Sequence, residues 1–269
     1  MVIDLHSHVL PGIDDGAADI EESLAIVRAA AYEGTTALAA TPHLRPDYPS
    51  VHVDDLAGAV AEINERVPHD VALRVIPAAE IDLLWALSAT DEELRLASFD
   101  QRGSDLLVET PYGPLPENFE ELLFRLVERG FRLLLAHPER SVAFQRDPAR
   151  LGRLVERGIL IQVTLPSLVS ANGRSRSRAL ALDLIREGLA HNIASDAHTP
   201  GPVRPPRLAA GVAAASQVAP ARAEWMVTDA PAAILAGEPL PPPPVEQPRG
   251  EQRPPARGPW LSRLLKRSA

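Results

Sequence analysis

Seven short apolar runs alternate with amphipathic stretches of helical spacing, and that alternation limits the chain to a few folds. The runs lie near residues 2–6, 36–41, 71–77, 105–109, 132–136, 159–163 and 190–195 and read as strands. Between them, 20–33, 53–67, 118–129, 148–157 and 177–187 read as helices. Asp19 and Asn118 are expected N-caps, and Gly34, Gly130, Gly158 and Gly188 stand where helices should stop. Strand alternating with helix predicts an α/β fold with a parallel sheet covered by helices. Seven repeats favour a closed or nearly closed barrel, with an open doubly wound sheet as the alternative. Two further helices are expected near 205–217 and 221–236. The 269 residues suffice for one such domain.

Gly237 is expected to end this domain. From 238 to 259 the chain holds nine prolines, which remove backbone donors and favour extended polyproline, so 238–269 is expected to be a disordered Pro-rich tail. It ends in Trp260-Leu261-Ser262-Arg263-Leu264-Leu265-Lys266-Arg267, a short basic amphipathic pattern that can touch a partner or an anionic membrane surface. The tail carries six basic and three acidic residues, +3, so a net charge of −9 leaves −12 on residues 1–237. So acidic a body argues against nucleic acid as a partner. No apolar run can span a bilayer, and the first strand starts directly after Met1, so a cytoplasmic protein is expected. The chain has no cysteine, which excludes disulfides, thiolate metal sites and a thiol nucleophile.

Chemistry gathers where the expected strands end: His6-Ser7-His8, Thr41-Pro42-His43, Glu80, Glu109, His137-Pro138-Glu139-Arg140 and Ser195-Asp196-Ala197-His198. In a parallel β/α barrel these ends form one rim, where active sites lie. Residues i and i+2 of a strand face one side, so His6 can act with His8, and Asp196 with His198. Each piece alone has an ordinary structural reading, and Asp14-Asp15-Gly16 reads first as a turn. Together they read as a metal site, because five of the eight histidines follow expected strands. Imidazole and carboxylate without sulfur suit Mn, Fe, Zn or Mg. Arg140 and Arg204 are candidate phosphate ligands, with Arg207 a rival to the second. His52, His69 and His191 are given no role, and Arg174–Arg178 reads as a solvated loop entering a helix.

His6-Ser7-His8-Val9-Leu10-Pro11-Gly12-Ile13-Asp14-Asp15-Gly16 resembles the opening signature of bacterial protein-tyrosine phosphatases of the polymerase-and-histidinol-phosphatase (PHP) superfamily, found at capsule and exopolysaccharide loci. Ala40–His43, Ala136–Arg140 and Ala194–His198 resemble its later blocks, in the same order, and the similarity spans about residues 1–237. Leu44, Ala79, Ser141 and Thr164-Leu165 depart from the pattern without removing a ligand.

The resemblance implies a distorted (β/α)7 TIM-like barrel with a three-ion cluster, usually Mn2+. His6, His8, Glu80 and Asp196 would hold one ion. Glu80, Glu109 and His137 would hold a second, and Asp15, His43 and His198 a third. Arg140 and Arg204 would grip phosphate. The implied substrate is a phosphotyrosine-containing protein, notably a membrane-associated bacterial tyrosine kinase. A phosphatase of a small metabolite such as histidinol phosphate, or an inactive regulatory module on the same fold, are the alternatives.

Overall fold

The computed structural model describes residues 1–111, 113–170 and 175–246. The first third holds β1 (Val2–Ser7), α1 (Ile20–Tyr32), β2 (Thr35–Ala40), β3 (His43–Leu44), α2 (Leu56–Arg66), β4 (Arg74–Pro77) and β5 (Glu80–Ile81). There follow α3 (Leu83–Ser88), α4 (Asp91–Ala97), β6 (Asp105–Glu109), α5 (Phe119–Glu128), β7 (Arg132–Ala136), α6 (Val142–Arg146), α7 (Ala149–Glu156) and β8 (Leu160–Thr164). Last come α8 (Leu165–Leu168), α9 (Arg176–Arg186), β9 (Asn192–Ala194), α10 (Leu208–Ser216), α11 (Pro220–Trp225) and α12 (Asp229–Ala236).

The strands form two parallel sheets, β1-β2-β4 and β3-β5-β6-β7-β8-β9. β3 continues β2 and β5 continues β4, each after two residues outside the ladder. The first break falls at Thr41-Pro42, where proline has no N–H to give. Bonding persists across both breaks: Ala78 N–H donates to Ala40 O (3.0 Å) and Glu80 N–H to Pro42 O (3.1 Å). Beyond β9, Asp196 N–H donates to His6 O (2.9 Å) and His8 N–H to Ala197 O (2.8 Å), tying the far end of the second sheet to β1.

Side chains on a strand alternate between faces, and here both faces are buried. Leu38, Val75, Leu106, Val108, Leu133, Leu135, Ile161 and Val163 pack against the helices. The other face gathers Ile3, Leu5, Ala37, Ala39, Ile76, Leu107, Leu134 and Leu160 with Phe99 and Ile234. Two or four residues past the last apolar position on that second face the chemistry changes: Leu107 leads to Glu109, Ile76 and Ala78 to Glu80, Ala37 and Ala39 to His43, Leu160 to Gln162 and Thr164. An apolar floor thus carries a polar upper storey on the same files of residues. β1 departs from the rule, because its ladder shifts register between Asp4 and Ser7.

The helices follow their apolar spacing. In α5, Phe119, Leu122, Leu123 and Leu126 recur at i, i+3, i+4 and i+7 and are all buried, with Glu120 and Glu121 in the first turn. Truncating Leu123, fully buried, to alanine would cost about 2–5 kcal/mol. Asp19 caps α1 as expected, accepting from Glu22 N–H (2.9 Å). Asn118 makes no capping bond, against expectation, because its φ of −97° and ψ of 22° lie outside the extended region caps adopt. The expected helix at 221–236 is two, α11 and α12. α3 and α4 had no counterpart in the sequence reading.

Residues 238–246 form no helix or strand, yet they lie along the body. Leu240 packs on both apolar clusters, and Glu238 O accepts from Arg132 Nη1 (2.7 Å). The Glu246 carboxylate accepts from Ala221 and Arg222 N–H (3.3 and 3.0 Å). The terminal basic segment, Trp260–Arg267, lies outside the described residues. Among the described residues no helix is long and apolar enough to cross a membrane.

Candidate metal centre

The upper storey brings together all nine residues expected as ligands. His6, His8, Glu80 and Asp196 are fully buried, and His43, Glu109, His137 and His198 nearly so; Asp15 is half-exposed. Four overlapping groups place ligand atoms within 4.8 Å of one another: His8, Asp15, His43 and His198; His6, His8 and Asp196; His6, Glu80 and His137; His43, Glu80 and Glu109. Glu80 lies at the middle. Its Oε2 is 3.4 Å from His6 Nε2, 3.6 Å from His8 Nε2 and 3.0 Å from His43 Nδ1, and its Oε1 is 2.8 Å from His137 Nε2. Asp15 Oδ1 stands 3.5 Å from His43 Nε2 and 3.3 Å from His198 Nε2.

These residues fit divalent cations. Asp196 Oδ1 is buried without a hydrogen-bond partner, although His6 Nε2 and His8 Nε2 lie 3.4 and 3.5 Å away. Those two nitrogens are 3.3 Å apart. Two ligands each about 2.1 Å from one ion lie roughly 3.0–3.4 Å apart, so the spacing is that of a shared ion rather than of hydrogen bonds.

Local backbone delivers the donors. After β1 the chain doubles back, Ala17 N–H donating to His8 O (3.0 Å), and swings Asp14 and Asp15 beside His8. Only glycine fits at 16, where a Cβ would lie 1.9 Å from His8 O. His137, Asp196 and Arg204 have φ of 36°, 54° and 53°, a region L-residues seldom adopt. Both candidate phosphate arginines reach the cluster: Arg140 Nη2 and Arg204 Nη2 lie 2.7 and 2.6 Å from Asp196 Oδ2. Arg140 also donates to Thr164 Oγ1 (2.7 Å), and Thr164 is held by the buried Glu139, 3.0 Å from its hydroxyl and 3.1 Å from its N–H. Arg207 is exposed, whereas Arg204, the other candidate, is partly buried and meets Asp196.

A family model for capsular polysaccharide synthesis, CpsB/CapC, matches residues 2–236. This chain belongs to the CpsB/CapC family. Tyrosine-protein phosphatase YwqE of Bacillus subtilis (strain 168) is 33% identical over 198 residues, 73% of this chain and 77% of that protein. Putative tyrosine-protein phosphatase CapC of Staphylococcus aureus is 29% identical over 199 residues, 74% and 77%. Among solved structures, a chain from the work on YwqE from Bacillus subtilis and CpsB from Streptococcus pneumoniae, described as unique metal-dependent tyrosine phosphatases, matches with a TM-score of 0.77 at 30% identity, covering 91% of this chain and 100% of that one.

The CpsB/CapC chain also holds site residues that its sequence conceals. Asp14, read as part of a turn, does accept from Gly16 N–H (3.0 Å), but its Oδ2 lies 2.7 Å from His8 Nδ1 and accepts from His43 N–H (3.1 Å). Gln162 Oε1 lies 2.7 Å from His6 Nδ1. Arg45 Nη1 spans both oxygens of Glu109 (3.1 and 3.2 Å), and Tyr48 stacks on His43 at 5.2 Å. Asp-Asp-Gly was the one local signal for Asp14; nothing nearby in sequence marks Gln162.

The cluster's charges are interdependent. Burial alone would lower the His8 pKa, but the surrounding carboxylates of Asp14, Asp196 and Glu80 prevail and lift it to about 10. Burial, then the charge of Glu80, pushes Glu109 up to about 7. Burial also disfavours the Asp196 carboxylate, yet His6, His8, Arg140 and Arg204 hold it well below the usual carboxylate range. A bound cation would take over the neutralising role these protons play.

Proposed function

We propose that this chain is a metal-dependent protein-tyrosine phosphatase on a distorted (β/α)7 barrel of the PHP type. The observation that carries the reading is the convergence of five imidazoles and four carboxylates, with Glu80 at the middle and two guanidiniums on the Asp196 carboxylate. The activities for which YwqE and CapC are named point the same way. The bonds between β1 and the stretch after β9 support a closed seven-strand barrel. We assign His6, His8, Glu80 and Asp196 to one ion, Glu80, Glu109 and His137 to a second, and Asp15, His43 and His198 to a third, with Mn2+ as the expected metal.

When bound, the ions would supply Lewis acidity and a water acidic enough to attack near neutral pH. The protein supplies the rest. Arg140 and Arg204 present forked donors to a phosphate and offset the charge that spreads over its oxygens as the ester bond breaks. Thr164 and Glu139 fix Arg140 from behind. Asp14 and Gln162 orient His8 and His6. With no cysteine in the chain, a thiol phospho-enzyme is excluded. The substrate class we assign is phosphotyrosine on a membrane-associated bacterial tyrosine kinase.

The test is a phosphatase assay on metal-stripped protein, re-supplied with single metals, using a phosphotyrosine peptide and histidinol phosphate side by side. The reading expects no turnover without metal, recovery with Mn2+, and preference for the peptide. Full activity in metal-free protein overturns the metal reading; preference for histidinol phosphate overturns the substrate.

A further inference from the structure

Two amides stand where an interior has little use for them. Gln162 and Asn192 are fully buried, on neighbouring strands and paired in the ladder of β8 and β9. Burying an amide is unfavourable unless its hydrogen bonds are made. These are made in one unbroken chain: Asn192 Nδ2 donates to Met226 O (3.0 Å) and Ile193 O (3.3 Å), Gln162 Nε2 donates to Asn192 Oδ1 (2.9 Å), and Gln162 Oε1 faces His6 Nδ1 (2.7 Å).

The direction of this chain is fixed by chemistry alone. Main-chain carbonyls accept and never donate, so the end of Asn192 facing Met226 O and Ile193 O must be its NH2. Its oxygen therefore faces Gln162, whose near end must be the NH2. The end of Gln162 left for His6 is then an oxygen, which can only accept. His6 must carry a proton on Nδ1, so Nε2 is the nitrogen left to offer a lone pair to a cation. Nε2 points to where Glu80 Oε2 and Asp196 Oδ1 converge, each 3.4 Å away.

We propose that Gln162 and Asn192 are positioning residues that lock the tautomer of His6, transmitting the polarity of the Met226 carbonyl to the metal centre. The lock rests on the metal reading of the cluster only for its purpose, not for its existence. His8 is held otherwise, by the charged Asp14. A neutral acceptor on His6 and an anionic one on His8 give the two imidazoles different donor strengths towards the same centre.

The experiment has two arms. In metal-free wild-type protein, 15N-resolved NMR of the histidine side chains should show a solvent-protected His6 Nδ1–H. A deprotonated Nδ1 overturns the lock, whatever the protein binds. In the second arm Mn2+ affinity is measured by chelator competition, with thermal melts as a check on folding. Gln162→Met should bind Mn2+ about 10- to 100-fold more weakly. Asn192→Leu, which does not touch His6, should also weaken binding, because it frees Gln162 to turn its NH2 towards Nδ1. Gln162→Glu should stay within a few-fold of wild type, since a neutral buried carboxyl can still accept from Nδ1–H and donate to Asn192 Oδ1. Folded Gln162→Met of wild-type affinity, or Gln162→Glu as weak as Gln162→Met, overturns the proposal. If wild type binds no Mn2+, the metal reading fails, and the NMR arm still decides the tautomer.

Discussion

The ligand cluster and the two arginines beside it meet at one carboxylate, Asp196, but are held by different means. The candidate ligands other than Asp15, which lies in the loop after β1, issue from or just beyond strand ends, where ladder hydrogen bonds fix the backbone and a second partner fixes the ring: Asp14 for His8, Gln162 for His6. The arginines come from connections. Arg140 ends a single turn, 138–140, after β7, and Arg204 lies in the Pro-rich stretch between β9 and α10. Their side chains are 16% and 30% exposed, against 1% for Asp196. The difference separates two tasks. Metal ligands must be placed before the ion arrives, whereas groups that follow a reacting phosphate need room to adjust.

That division predicts a graded series. Asp196→Ala strikes both parts, and turnover should fall by more than about 10³-fold together with metal content; elemental analysis beside kinetics checks it. Arg140→Ala should lower turnover by about 10²–10³-fold while metal content stays at the wild-type level. Loss of metal in that variant would erase the distinction between the two parts.

A smaller effect concerns the frame. Burial, reinforced by the charge of Arg222, pushes the His191 pKa down to about 4 from 6.5, and its Nδ1 accepts from Ile161 N–H (3.1 Å). Below pH 6.5 the unfolded chain binds a proton that the folded one refuses until about pH 4. Stability from this group is therefore lost on acidification through that window, by about 3 kcal/mol in all. Metal-free His191→Leu should lose that much less than metal-free wild type between pH 6.5 and 4 in denaturant titrations. Parallel pH curves for the two would remove His191 from the account.

The smallest effect expected is at the tail. Removing residues 247–269 should leave hydrolysis of a soluble phosphotyrosine peptide unchanged, with only liposome or kinase association reduced. Cutting at 238 should also lower the melting temperature, because Leu240 and Glu246 hold to the body. Equal melting temperatures for the two truncations would show that 238–246 contribute nothing.

Much of this was legible in the chain because apolar runs end in ligands: a histidine after Val2–Leu5 or Leu133–Ala136 stands out against its neighbours. What stayed hidden depends on pairing across strands. Gln162 interrupts an apolar run without any local partner, and its meaning appears only when the ladder sets it opposite Asn192. Asp14 looks like any turn aspartate until the loop folds back on His8. The breaks at Thr41-Pro42 and Ala78-Ala79 were also out of reach, since the same residues can continue a strand. The family resemblance implied a partition of ligands among ions, which spacing alone left open.

The left-handed backbone at His137, Asp196 and Arg204 has a consequence for how this protein can change. Among the described residues only two other non-glycine positions share it, Asp100 and Gln101. Each such residue costs about 1 kcal/mol or more, and glycine would relieve it. A library of variants screened only for heat resistance would therefore accept Arg204→Gly readily, and lose the proposed phosphate ligand in doing so. Selection for robustness and selection for turnover pull apart at these positions, so a hardened descendant of this chain would keep its fold and surrender its chemistry first.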